Sequence, residues 1–264
     1  TLVMGILNVT PDSFSDGGQF FSHRSAVDHA LQMIEDGADI IDVGGESTRP
    51  GAEPLTVENE LDRTIPVIES IRERNPDVMI SIDTYKSIVA KEAVQAGADI
   101  VNDVSGLTMD ENMPSILSEI SVPVIIMHIN GTPTNMQNNP VYKNLMGEII
   151  SFLEDKINLA RSAGIKDHNI ILDPGIGFGK TIDHNFRIIQ KLSDISNIGF
   201  PVLIGASRKS FIGLTLDLPP HERIEGTAAA VSAGILNGAR IVRVHDVKEM
   251  KRVVIISEKI RTAA

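Results

Sequence analysis

Gly37-Ala38-Asp39-Ile40-Ile41 recurs along the chain as Gly97-Ala98-Asp99-Ile100-Val101 and again as Gly238-Ala239-Arg240-Ile241-Val242. Each copy closes a stretch of helical periodicity and opens an apolar run. Glycine suits the left-handed position that ends a helix. An apolar pair directly after it suits a strand buried on both faces. The recurring unit is therefore helix, tight turn, parallel strand. Working outward from these copies, the same alternation fills the chain. Strands are expected at 3–9, 39–43, 78–82, 99–101, 122–127, 169–172, 201–204 and 240–244. Helices are expected near 24–36, 56–74, 86–96, 111–119, 142–163, 183–191, 222–237 and 246–260. Eight βα units with no long linker predict one domain over 1–264, an α/β fold of the closed (β/α)8 or TIM-barrel type. An open eight-stranded sheet is the competing arrangement.

Composition narrows the function. The 264 residues suit a single barrel, and 42% hydrophobic content is enough for a large core. No cysteine is present, which removes disulfides and thiolate metal sites and fits a reducing, cytoplasmic setting. Against 35 acidic residues stand 24 Lys and Arg, a net charge of −11. Such a field disfavours nucleic acid and anionic membrane surfaces. No apolar run approaches a membrane span. Thr1-Leu2-Val3-Met4 lacks the form of a secretory leader and starts inside a strand-like run, so the natural N-terminus is expected upstream. Any anionic substrate must be met by a local basic cluster.

The strand exits supply that cluster. Just past the apolar runs stand Asn8, Gly44-Gly45-Glu46, Asp83, Asn102-Asp103, His128, Asp173, Gly205 with Ser207, and Arg243 with His245. In a barrel these converge on the C-terminal face, where active sites of this fold are built. The opposite strand ends are expected to carry few polar residues. Arg49 in Gly44–Ala52, Lys209 in Gly205-Ala206-Ser207-Arg208-Lys209-Ser210, Arg243 and His245 form the basic set. Exits seven and eight commonly hold phosphate in barrels. Asp83 and Asp173 need a different partner, since a buried carboxylate is costly unless bonded. A flat heterocycle with adjacent N–H and NH2 donors would satisfy them in a bidentate manner, with Asn102 on the same edge; pairing with a core cation is the plainer reading. Gly175-Ile176-Gly177-Phe178-Gly179-Lys180 has neither the P-loop nor the dinucleotide spacing. His23, His29, His168, His184 and His221 show no metal-ligand spacing and are read as solvated or capping.

Six ordered motifs resemble the dihydropteroate synthases. They are Met4–Phe14 (Met-Gly-Ile-Leu-Asn-Val-Thr-Pro-Asp-Ser-Phe), Gly44–Gly51 (Gly-Gly-Glu-Ser-Thr-Arg-Pro-Gly), Ser81–Thr84, Asp173-Pro174-Gly175, Ser207–Ser210 and Arg243–Val247. The resemblance runs from Met4 to the last helix. It implies condensation of 6-hydroxymethyl-7,8-dihydropterin pyrophosphate with p-aminobenzoate to give 7,8-dihydropteroate, in folate biosynthesis. It assigns Asp83, Asn102, Asp173 and Lys209 to the pterin ring, with Met127, Phe178 and Gly205 lining that pocket. Asn8, Arg243 and His245 take the pyrophosphate, and Asn8 is a ligand of Mg2+. Phe14, Thr48, Arg49, Pro50 and Ser207 form the p-aminobenzoate site. Asp83, Lys209, Arg243 and His245 carry the chemistry by charge stabilisation, without a covalent nucleophile. Met127-His128-Ile129-Asn130-Gly131 departs from the family segment in its middle residues. Phe14 and Pro50 predict sensitivity to sulfonamides.

The rival enzyme is a methyltetrahydrofolate:corrinoid methyltransferase, a related pterin-binding barrel. It has no pyrophosphate to hold, so Lys209, Arg243 and His245 favour the synthase. A non-catalytic homologue would be expected to lose Asn8, Arg49 or Lys209, and all three stand. The resemblance also implies a homodimer through the seventh and eighth helices, where Gly226-Thr227-Ala228-Ala229-Ala230-Val231 is small and apolar. An intramolecular helix contact accounts for the same alanines.

Overall fold

The computed structural model describes residues 1–9, 18–47, 54–132, 135–137 and 139–263. Among them, eight strands alternate with helices: β1 (Leu2–Asn8), α1 (Gly18–Glu35), β2 (Ile40–Gly44), α2 (Val57–Arg74), β3 (Met79–Asp83), α3 (Ser87–Gln95), β4 (Ile100–Asp103), α4 (Met113–Ile120), β5 (Val124–Met127) and α5 (Leu145–Ala163). Then follow β6 (Ile170–Asp173), α6 (Ile182–Gln190), α7 (Leu192–Ser196), β7 (Leu203–Ile204), α8 (Ser210–Leu216), α9 (Ile224–Leu236), β8 (Ile241–Val244) and α10 (Val247–Thr262). All strand pairs are parallel, in the order β6-β5-β4-β3-β2-β1-β8-β7. A parallel bridge between Leu172 and Val202 joins β6 to the residues entering β7 and brings the ring round to a nearly closed barrel. The fold is the (β/α)8 barrel.

The repeat is the joint of this architecture. Gly37, Gly97 and Gly238 have φ of +102°, +116° and +112°, a region that a side chain would strain. In each copy the following alanine amide reaches back to the helix: Ala38 to Met33 O, Ala98 to Ala93 O and Ala239 to Gly234 O, all at 2.9 Å. That bond closes the helix and turns the chain into the strand. Asp39 accepts the Val3 amide and Asp99 the Ile80 amide, each at 2.8 Å. These aspartates also pair with Lys251 at 2.9 Å and Arg72 at 2.6 Å. The N-terminal strand ends are thus more polar than expected. Their charges bond strand-start amides and so serve the scaffold.

Alternation along each strand then builds two layers inside the barrel. Met4, Ile40, Ile100, Ile125, Ile171, Leu203 and Ile241, with Met79 packed against them, form an apolar plug, one residue from each strand. Two residues further on stand Ile6, Asp42, Ser81, Asn102, Met127, Asp173, Gly205 and Arg243. The plug excludes water from below, and the next layer is where polar groups begin. Outside the ring, a second and larger apolar core packs the helices on the sheet.

Two short helices, α7 and α8, stand in stretches for which no element is expected from the sequence. Among the described residues, no helix is long and apolar enough to cross a membrane. His184, read as solvated or capping, is a cap: its Nδ1 accepts the Thr181 amide at 3.2 Å while Thr181 Oγ1 accepts the His184 amide. This capping box starts α6.

Candidate active site

The second layer converges on Arg243. Its Nε donates to Asp42 Oδ2 at 2.5 Å and its Nη2 to Asp83 Oδ2 at 2.7 Å. Asn102 Nδ2 donates to the same Asp42 oxygen at 3.2 Å. The register makes this possible, because Gly44 lies opposite Asp83 and Asp83 opposite Asn102 on neighbouring strands. Asp42, Asp83 and Asn102 are all buried. Asp42 Oδ1, Asp83 Oδ1 and Ser81 Oγ are buried with no partner among the described residues, an unusual set for one barrel mouth. Two carboxylates with unmet acceptor capacity at a barrel mouth are groups that a ligand's N–H donors would complete.

Electrostatics follows from the burial. Asp83 is pushed up to about 7, first by burial, with Arg243 opposing and Asp42 adding. Asp173 is also raised by burial, against the Gly175 amide bond and Lys209. Lys209 is drawn down to about 8 by burial, with Asp173 resisting and Arg243 adding. Arg243 stays cationic: burial pulls its pKa down, but Asp42 and Asp83 outweigh that. Removing one member of such a buried ionic set costs about 3–5 kcal/mol, because the remaining charge is stranded.

Asp173 ends β6 next to Met127, with which it is in register. Its Oδ1 accepts the Gly175 amide at 2.7 Å. Phe178 packs with Met127 in one cluster, and Lys209 Nζ stands 4.5 Å from the Phe178 ring centroid while donating to Ile176 O. Gly205 keeps space at the seventh exit: a Cβ there would lie 3.8 Å from Arg243 Cβ and 3.9 Å from Lys209 Nζ. Ser207 Oγ lies 3.0 Å from His245 Nδ1 and accepts the His245 amide at 3.1 Å. The residue expected at the p-aminobenzoate site is therefore bonded to one expected at the pyrophosphate. Arg208 turns aside to pair with Asp246. Asn8 ends β1, and Gly44, opposite it, leaves room between Asn8 Oδ1 and Asp83. Phe14, Thr48, Arg49 and Pro50 lie outside the described residues.

At the root of the second exit a further cluster is built. Glu46 accepts the Leu55 amide at 3.0 Å, Tyr85 Oη at 2.9 Å and Lys86 Nζ at 2.5 Å, and Lys86 also reaches Glu60 at 2.5 Å. Burial pulls the Lys86 amine down, but its bonds to Glu46 and Glu60 outweigh it and the net shift is upward.

The sequence reading gave no role to Asp42, Ser81 or Lys180, although Ser81 opens the Ser81–Thr84 motif. The first two stand mid-strand, two residues beyond a plug residue. A charge or hydroxyl at that spacing inside an apolar run was the available signal.

The pterin binding enzyme family matches residues 4–245. The chain is 53% identical to the dihydropteroate synthase of Bacillus subtilis over 252 residues, 96% of this chain and 86% of that one. The chain belongs to the dihydropteroate synthase family. Among solved structures, the Yersinia pestis dihydropteroate synthase with a sulfonamide drug complex superposes with a TM-score of 0.94 at 44% identity, covering 99% of this chain and 94% of that one. The Xanthomonas albilineans enzyme in complex with 7,8-dihydropteroate gives 0.89 at 37% identity, over 100% and 94%. Of the residues the motifs singled out, Asp83 bonds Arg243 directly, while Asp42, its other partner, lies outside those motifs.

Proposed function

We propose that the chain condenses 6-hydroxymethyl-7,8-dihydropterin pyrophosphate with p-aminobenzoate, yielding 7,8-dihydropteroate and pyrophosphate. It is a transferase of folate biosynthesis. The observation that carries the reading is the buried Asp42–Arg243–Asp83 set at the mouth of the barrel, with Asn102, Asp173 and Lys209 around it. Asp83, Asn102 and Asp173 take the donor edge of the pterin, and Met127 and Phe178 flank its faces. Gly205 and Lys209 complete the ring site. Arg243, His245 and Asn8 hold the pyrophosphate, whose departure takes the electron pair of the methylene C–O bond. Positive character developing on that carbon is stabilised by Asp83. The arylamine nitrogen then forms the new C–N bond and loses a proton. Phe14, Thr48, Arg49, Pro50 and Ser207 orient the arylamine, so position replaces a strong base.

Mg2+ fits this site. It is a hard cation that takes oxygen ligands, keeps several waters and binds substrate phosphates. Asn8 offers one amide oxygen beside a space kept by Gly44. When bound, the ion supplies charge neutralisation on the leaving pyrophosphate.

The chain is further read as a cytoplasmic homodimer. Leu236, Ile255, Ile256 and Ile260 are exposed on α9 and α10, and Phe186, Leu214 and Leu216 on α6 and α8. A cleft of about 520 Å³ between α6, α8 and α9 is lined mainly by apolar side chains. Part of the small-residue run packs within the chain, since Ala230 and Val231 are buried and Ser232 bonds Ser257 at 2.9 Å. Sulfonamides are read as competitors of p-aminobenzoate.

Incubating the purified chain with the pterin pyrophosphate and Mg2+, with and without p-aminobenzoate, tests the reaction. One pyrophosphate per 7,8-dihydropteroate, strictly dependent on the arylamine, is expected; methyl transfer from methyltetrahydrofolate without pyrophosphate release would favour the corrinoid methyltransferase. Undiminished turnover at saturating sulfamethoxazole would remove the sulfonamide reading.

A further inference from the structure

The loop leaving β6 is held carbonyl by carbonyl. Ile176 O accepts from Lys209 Nζ, Gly177 O from Gln137 Nε2 at 2.5 Å, Phe178 O from Lys180 Nζ at 2.9 Å and Gly179 O from Tyr142 Oη at 2.8 Å. Lys180 is the donor that also reaches another strand exit. It is only 3% exposed, and its Nζ lies 3.0 Å from His128 Nδ1 and 3.4 Å from His128 O. The amine thus meets a ring nitrogen and two carbonyls, with no carboxylate among those contacts.

The two carbonyl oxygens each accept an N–H of the amine, and His128 Nδ1 pairs with it as donor or acceptor according to the ring's tautomer. Burial pulls Lys180 well below the usual lysine range, with Asp173 opposing and Lys209 adding. His128 is drawn down to about 3 by burial and by Lys180. The seam that Lys180 fills is narrow. A Cβ at Gly175 would collide with the His128 carbonyl oxygen, and one at Gly179 with the Asn130 carbonyl oxygen. Backbone therefore packs on backbone between the β5 and β6 exits. Bordering this seam are Met127, Asp173 and Phe178. A methionine would fill the same space without an amine to desolvate, so stability alone does not account for a lysine here.

We infer that Lys180, paired with His128, is a positioning residue for the ring pocket: it locks together the two exits that carry Met127, Asp173 and Phe178. This rests on the proposal that those residues bind the pterin. Lys180 acts through the backbone of Phe178 and the His128 side chain.

The test titrates 6-hydroxymethylpterin by fluorescence and inorganic pyrophosphate by calorimetry into wild type, Lys180→Met and His128→Gln. Lys180→Met is expected to bind the pterin roughly tenfold more weakly, as for one lost positioning hydrogen bond. Its pyrophosphate affinity should stay unchanged, and KM for the pterin substrate should rise while KM for p-aminobenzoate does not. His128→Gln, which leaves the two carbonyl bonds of Lys180 in place, should weaken the pterin in the same direction by a smaller factor, and the double variant should lose no more than Lys180→Met alone. Unchanged pterin affinity in Lys180→Met, or equal weakening of both ligands, would overturn the inference. Should that variant not fold, the same two titrations on His128→Gln decide. A wild-type chain that binds pyrophosphate but no pterin would sink the ring-pocket reading itself, and this inference with it.

Discussion

Arg243 is the residue on which the site turns. The sequence assigned it to the anion side, yet its two hydrogen-bonding edges meet Asp42 and Asp83, the second a ring-side carboxylate. Loss of Asp42 should therefore be felt widely: Asp42→Ala leaves Arg243 with Asp83 as its one remaining carboxylate partner and removes the acceptor of Asn102. We expect a stability loss of about 3–5 kcal/mol by urea denaturation; a loss below 1 kcal/mol would show that the pairing is dispensable. The pH profile tests the same set. Asp83, at about 7, must be ionised to accept ring donors, so kcat/KM should rise as pH climbs through that range. Lys209, at about 8, must stay protonated, so activity should fall above it. The two limbs belong to the coupled group of charges. Lys209→Arg should move the alkaline limb upward, because a guanidinium keeps its proton; an unmoved limb would take Lys209 out of that role. Asn8, Asp83, Asp173 and His245 were legible because they stand where apolar runs end. Asp42 and Lys180 were not: one hides inside a strand, the other in a glycine-rich loop whose spacing matched no known phosphate motif.

At the scale of elements, the Gly-Ala-Asp repeat carried most of the fold. Its glycine marked where three helices stop and its apolar pair where three strands start, and apolar runs alone marked the other five strands, with ends shifted by only a few residues. What it could not show was α8. That helix is seven residues long and contains Gly213, a weak helix former. A side chain there would displace the Arg223 guanidinium, which bonds Leu218 O and Arg208 O. No local pattern announces such a packing demand. The plug yields a sharper expectation. Ile125, fully buried beneath the site, should cost about 2–5 kcal/mol when cut to alanine. Differential scanning calorimetry would read this as a lower midpoint; an unchanged one would mean that the barrel interior is not the closed layer described. Gly175→Ala should abolish activity, since its Cβ has no place beside the His128 carbonyl.

For the whole molecule, a net charge of −11 surrounds a site whose proposed pyrophosphate-binding groups are Arg243, His245 and Asn8. The acidic exterior repels polyanions, while the barrel mouth admits a small one. The exposed apolar face of α9 and α10 is the other molecular feature, and Ile256→Glu should convert the proposed dimer to monomer in light scattering at unchanged fold. An unaltered mass would move the interface elsewhere. On the proposed function, one arginine joins a ring-binding half to an anion-binding half. Calorimetric titration of 6-hydroxymethylpterin and pyrophosphate into Asp173→Ala and Arg243→Ala tests it directly. Asp173→Ala should lose the pterin and keep pyrophosphate, whereas Arg243→Ala should weaken both. Full pterin affinity in Arg243→Ala, or equal loss of both ligands in Asp173→Ala, would contradict it.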